Sequence, residues 1–171
     1  ATRIRGTKSR VVGSGMDRET RRTYRRERRG TVLVADAETG GELHTFRGQT
    51  GYVRTVAATR ETLMSAFGAS DGTIMLWDVR SGKCTMTLAD HRDGVYSVAP
   101  NTAGNRVLSG SRDGSVRVWD ATNGRCLAVL EGHTYHVQCV SWSGDARYAL
   151  SCSTDIRLWD LEKLVCMRVF E

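Results

Sequence analysis

Gly114-Ser115-Val116-Arg117-Val118-Trp119-Asp120 is the stretch on which the fold turns. Apolar and polar side chains alternate from Ser115 to Val118, placing the valines on one face, as a half-buried strand requires. Gly72-Thr73-Ile74-Met75-Leu76-Trp77-Asp78 aligns with it without gaps, 42 residues upstream, and Asp155-Ile156-Arg157-Leu158-Trp159-Asp160 follows 40 residues downstream. Gly30-Thr31-Val32-Leu33-Val34-Ala35-Asp36 is the same unit a further 42 residues before Gly72, with alanine in place of tryptophan. Gln49, His91 and His133 keep the 42-residue period independently. Asp-Gly at 71–72 and 113–114 predicts tight hairpin turns, since glycine tolerates positive φ. Each unit closes on a polar connector such as 120–124, followed by another strand, here Arg125 to Leu130.

Four short strands in about 42 residues is the sequence form of a propeller blade. The composition agrees with an all-β reading. Hydrophobic residues are 40% of the 171 and charged residues 26%, enough for a packed core. Glycines number 18 against 12 leucines, the reverse of what a helical bundle needs. No apolar run approaches the roughly 20 residues of a membrane helix, and no secretory leader pattern is present. The start at Ala1 without a methionine predicts a piece of something longer. Five cysteines, Cys84, Cys126, Cys139, Cys152 and Cys166, contain no C-x-x-C pair. That usage predicts a reducing compartment, cytoplasmic or nuclear, rather than a disulfide framework. Cys84, Cys126 and Cys166 recur with the unit, as one small buried position used three times would, and no metal site is expected.

The net charge of +6 is concentrated at one end: residues 1–30 carry eleven basic and three acidic side chains. Laying Val107 to Asp113 over Val11 to Asp17 predicts that residues 18–29 are inserted in the turn between the second and third strands of the first blade. This segment holds Arg18, Arg21, Arg22, Arg25, Arg26, Arg28 and Arg29 with two glutamates and one tyrosine. A solvated loop is one reading. The other is an arm whose guanidinium forks bind phosphate or carboxylate, with Tyr24 available to stack a base.

Gly132-His133 paired with Trp159-Asp160, and His91 with Trp119-Asp120, make the chain resemble the WD-repeat (WD40) β-propeller family over nearly its whole length. Gln49, Ala35, Asp90 and Leu164 depart from the family pattern, and two residues are missing after Asp155. The resemblance implies four antiparallel four-stranded blades: 1–47 with an incomplete inner strand, 48–89, 90–131 and 132–171. They would form part or half of a seven- or eight-bladed ring. An open arc of four would expose apolar flanks, so a second copy, further blades or a partner is expected to complete it.

His91, Ser111, Asp113 and Trp119 would pass for a base, a nucleophile and an orienting acid beside an indole, and His133, Ser153, Asp155 and Trp159 repeat the set. An active site needs one assembled set, not one per repeat, so no enzyme and no cofactor are expected. The resemblance implies a buried hydrogen-bond network at these positions, which the second blade, with Gln49, Ala69, Asp71 and Trp77, lacks the residues to complete. It also implies a rigid, non-catalytic scaffold for protein–protein interaction through the propeller's top face. Carried over by position, the contact candidates are Tyr52, Arg54 and Ser70, then Tyr96 and Arg112, then His136, Gln138 and Thr154. A protein partner with an acidic segment is expected first, and nucleic acid or another polyanion second. A sensor domain within a larger signalling protein is a further alternative, and no membrane role is expected.

Overall fold

A computed structural model describes residues 14–17, 22–27, 30–36, 38–58, 64–78 and 80–171. Among them there are sixteen strands and no helix. Alternating apolar residues and left-handed turn glycines cut the chain into strands of four to six residues, too short and too glycine-punctuated for helices. The strands form four antiparallel sheets of four, each in sequence order. The first holds β1 (Ser14–Asp17), β2 (Arg22–Glu27), β3 (Thr31–Asp36) and β4 (Glu42–Phe46). The second holds β5 (Val53–Ala58), β6 (Met64–Ala69), β7 (Ile74–Asp78) and β8 (Lys83–Leu88). The third holds β9 (Val95–Pro100), β10 (Arg106–Ser111), β11 (Val116–Asp120) and β12 (Cys126–Leu130). The fourth holds β13 (Cys139–Trp142), β14 (Tyr148–Cys152), β15 (Ile156–Asp160) and β16 (Val165–Phe170).

One irregularity recurs in all four. The register between third and fourth strands shifts at Val34/Ala35, Leu76/Trp77, Val118/Trp119 and Leu158/Trp159. A bulge at a fixed place re-aims the side chain beside it. Here that side chain is the repeated tryptophan, or Ala35 in the first sheet.

The core lies between sheets. Val32, Val34 and Phe46 of the first pack with Val53 and Trp77 of the second. Ile74, Leu76 and Leu88 of the second meet Val95, Val98, Val107 and Trp119 of the third. Leu108, Val116, Val118 and Leu130 of the third meet Val137, Val140, Ala149, Trp159 and Leu161 of the fourth. Each junction therefore joins the outer hairpin of one sheet to the leading edge and tryptophan of the next. Two hydrogen bonds stitch the last junction directly: Val140 N–H donates to Ser97 Oγ (3.2 Å) and Trp142 Nε1–H to the Ala99 carbonyl (2.6 Å). Strands β1 and β2 pack on β5, β5 on β9, and β9 on β13, and no closed ring is formed among the described residues.

Two expectations change. Residues 22–27 are not a turn insertion: β2 pairs along its length with β3 and on its other side with β1. Glu27 stands opposite Thr31, and Gly30 has φ 68°, so β2 meets β3 in register with far fewer intervening residues than a twelve-residue insertion would leave. Of the arginines named above, Arg22, Arg25 and Arg26 fall on this strand, while Arg18, Arg21, Arg28 and Arg29 lie outside the described residues. The recurring cysteines are not a buried position either. Cys84 is exposed and Cys126 and Cys166 are half-buried, because they stand on the outermost strands, opposite the tryptophans.

Candidate functional site

His91 precedes β9, and its ring lies edge-on to Trp119, with centroids 5.9 Å apart. Its Nδ1 meets Asp113 Oδ2 at 2.8 Å and its Nε2 meets Ser109 Oγ at 2.7 Å. Trp119 Nε1–H donates to the same Ser109 oxygen at 2.7 Å. These contacts assign the tautomer: Nδ1–H donates to the carboxylate, and the Ser109 hydroxyl donates to Nε2. The fourth sheet repeats the set. His133 binds Asp155 (2.5 Å) and Ser151 (2.6 Å), and Trp159 donates to Ser151 (2.8 Å).

The hydroxyl in each network is therefore Ser109 or Ser151, not Ser111 or Ser153. Ser109 and Ser111 are two residues apart along β10, and Ser153 follows Ser151 at the same spacing just past β14, so pattern alone does not separate them. Register does. Trp119 pairs with Val107, which puts Ser109 two residues along the strand and Ser111 four, roughly 13 Å away. An indole spans the first distance and not the second. Ser111 instead donates to the Asp93 or Gly94 carbonyl (2.9 and 3.1 Å), and the Ser153 hydroxyl is buried without a hydrogen bond.

Burial works against ionisation of Asp113. Hydrogen bonds from the Ser115 hydroxyl and N–H, from His91 and from the Arg92 N–H outweigh it and hold the carboxyl far below its ordinary range. For His91, burial dominates over the favourable carboxylate, so the ring stays neutral to lower pH than a free imidazole, and His133 behaves alike. Where the fourth sheet lacks the residues equivalent to Gly114 and Ser115, Arg157 Nε–H takes over, donating to Asp155 Oδ2 at 2.9 Å. Asp71 in the second sheet has no histidine to meet. Its oxygens accept from Thr50 Oγ1 (2.5 Å), the Gly51 N–H (2.9 Å) and Thr73. No substrate could reach Ser109 or Ser151, which are fully enclosed. The networks are fasteners.

At the same end of the sheets the surface is built differently. Arg54 of β5 lays its guanidinium over the Tyr96 ring of β9, 4.7 Å from the centroid. Tyr96 meets His136 edge-on (5.9 Å, 86°), and His136 stacks on Tyr135 (4.1 Å, 19°). One continuous ladder of a cation and three rings thus crosses the second, third and fourth sheets. Tyr135 is 54% exposed and Tyr52, at the rim, 69%. Ser70 Oγ accepts from the Tyr52 N–H (2.8 Å) and fixes that loop. Arg112 is half-exposed and lies 3.6 Å from Asp93. Gln138 and Thr154 are exposed, but neither joins the ladder by a contact. Tyr135 lies outside the positions carried over from the family resemblance, and its place beside His136 is the one signal that marks it in the sequence. Among the described residues no group of three or more His, Cys, Asp or Glu could hold a metal ion.

A family model of the WD domain, G-beta repeat, matches residues 40–78, 82–120 and 124–160. The chain belongs to the WD40 family. Comparison with the curated proteins gives no match. The WD40 matches do not coincide with the sheets. Residues 40–78 hold β4 to β7, whereas the sheets run β1 to β4 and β5 to β8. Each WD40 repeat thus lends its first strand to the sheet before it and builds three strands of the next. The family's general role is a non-catalytic scaffold for protein interaction.

Proposed function

We propose that this WD40 chain holds a protein partner on the ladder surface, with an acidic segment of that partner facing its arginines. The observation that carries the reading is the Arg54–Tyr96–His136–Tyr135 ladder, which makes one surface from three sheets. Tyrosine and arginine bring large contact area and polar ends together, and both are frequent anchors of binding energy. Arg112 and the seven arginines of residues 18–29 add positive charge that would speed capture of an acidic segment. The outer flank of the fourth sheet is covered, in the working assembly, by another sheet of the same type from a second copy or from further blades. A reducing compartment, cytoplasmic or nuclear, suits the five free cysteines.

The test is a titration of labelled Asp/Glu-rich peptides containing an aromatic residue, read by fluorescence anisotropy at two salt concentrations. Arg54→Ala/Tyr96→Ala is expected to weaken binding about tenfold or more, roughly 1.4 kcal/mol, with an unchanged melting temperature. Arg22→Thr/Arg25→Thr/Arg26→Thr, which keeps strand β2 while removing three charges, is expected to flatten the salt dependence. Peptide binding indifferent to both changes, or retention of nucleic acid and heparin in its place, would defeat the reading.

A further inference from the structure

Two of the five cysteines fall outside the repeat. Cys139 begins β13 and Cys152 ends β14, and the two are direct partners in the antiparallel register. Opposed residues in such a ladder stand about 4.5 or 5.5 Å apart at Cα. Both values lie within the range of about 4.4–6.8 Å that a disulfide spans. Directly opposed side chains also leave the sheet on the same face. Cys139 is exposed and Cys152 half-buried, so the pair is open to small molecules. Neither sulfur has a strong competing contact: each lies only 3.9–4.0 Å from a backbone carbonyl.

The third sheet shows what normally occupies this place. Ser97 and Gly110 are the equivalent partners there. A Cβ on Gly110 would stand 2.6 Å from Val137 Cγ1 and 2.9 Å from Val140 Cγ1, so the next sheet is seated against bare backbone. Cys152 puts a thiol at that position. A sheet covering this flank must therefore stand further off at its inner corner than the fourth sheet stands from the third, which leaves that corner accessible. Cys84, Cys126 and Cys166 differ: each stands opposite a tryptophan, far apart on separate sheets, with its sulfur 3.4–3.5 Å from the carbonyl two residues on.

We propose that Cys139 and Cys152 are a cross-strand dithiol, a modification site that a small-molecule disulfide converts to a protein disulfide. The more exposed Cys139 thiolate attacks one sulfur of the reagent and releases the other half as a thiolate. Cys152, as thiolate, then attacks the Cys139 sulfur of the mixed disulfide and releases the second half. Two protein thiols are oxidised to one disulfide, one reagent disulfide is reduced to two thiols, and the two protein protons pass to the released thiolates.

The full chain, reduced and then incubated with oxidised glutathione, tests this. The expected product has lost two of its five free thiols and two hydrogens in mass, with a peptide link between Cys139 and Cys152 after digestion. Cys152→Ser should instead accumulate the glutathione adduct on Cys139. Five thiols reacting alike, a stable adduct on the wild-type chain, or a link through Cys84, Cys126 or Cys166 would overturn the proposal. Because a variant can fail for reasons of folding, phenylarsine oxide provides an independent measure on the unaltered protein. One arsenical per chain bridging Cys139 and Cys152 is expected in native mass spectrometry, and none bound would overturn the pairing.

Discussion

The third and fourth sheets carry the same network and nearly the same strands, yet their outer flanks meet different surroundings. Leu108, Val116 and Leu130 are 0–2% exposed beneath the fourth sheet, whereas Leu150, Ile156 and Phe170, at equivalent places, are 43–44% exposed. The residue types hardly differ, so burial here is a property of the neighbour and not of the side chain. Repeat arrays hold much of their stability in the junctions between units. An identical truncation should therefore have a different effect in each sheet.

The largest contrast tests this directly. Leu130→Ala is expected to lower stability by about 2–5 kcal/mol, through lost burial and the cavity left at the junction. Phe170→Ala should stay within about 1 kcal/mol of the parent chain. Equal losses in urea melts would break the comparison, since they would mean that the fourth flank is already covered in solution. Next comes Gly110→Ala, whose new methyl group meets Val137 and Val140. It should cost about 1–3 kcal/mol by overpacking, whereas Cys152→Ala at the open equivalent should change stability by less than about 0.5 kcal/mol.

The network correction has its own test within the fourth sheet. Ser151→Ala strands His133 and Trp159 and should cost about 1–3 kcal/mol, while Ser153→Ala removes a hydroxyl that bonds nothing and should be neutral or slightly stabilising. The reverse order in denaturant melts would place Ser153, not Ser151, in the network. Turn geometry supplies a smaller effect. Leu164 sits at φ 57° where the third sheet has Gly124 at φ 77°. Relief of left-handed strain should let Leu164→Gly gain up to about 1 kcal/mol, seen as a raised urea midpoint.

Acidity should distinguish the sheets least, because both depend on a neutral histidine. His91 and His133 have lowered pKa values in the fold, so the unfolded chain binds more protons and stability falls once pH drops below about 6.5. Asp113 and Asp155 are held low as well, and their contribution, present above about pH 4, is lost as pH falls further. Urea midpoints measured from pH 7.5 to 4 should decline through this range. His91→Gln should flatten the upper part of that decline, and a flat profile in the parent chain would contradict the burial of both rings.

What could be read beforehand followed the periodicity. Trp77, Trp119 and Trp159 with their aspartates mark third strands because a repeat of 42 or 40 residues is visible without coordinates. The glycine turns at Gly72 and Gly114 were visible for the same reason, and their φ values of 83° and 84° explain why glycine stands there. Register was not legible. Ser109 and Ser111 share a face, and only the pairing of Trp119 with Val107 decides between them. The strand Arg22–Glu27 has neither apolar alternation nor a motif to announce it, and overlaying Val11 to Asp17 on a later unit concealed it. Cys139 and Cys152 are thirteen residues apart with nothing in their spacing to pair them, since first strands carry no signature of their own. The Arg54–Tyr96–His136 ladder was half visible: position identified its members, while their mutual stacking needed the sheets to be set side by side.

The offset between repeat and sheet also bears on how such a chain can change length. Excising residues 80–121 would join β7 to β12 through a connector of unaltered length and leave β5, β6, β7 and β12 as one sheet of four. The same holds for a duplication of one 42-residue period with both breakpoints between Gly30 and Asp155. A recombination event in the coding sequence therefore need not respect any structural boundary to yield a product with every sheet complete. Copy number can change in this way while strand order and register are kept intact.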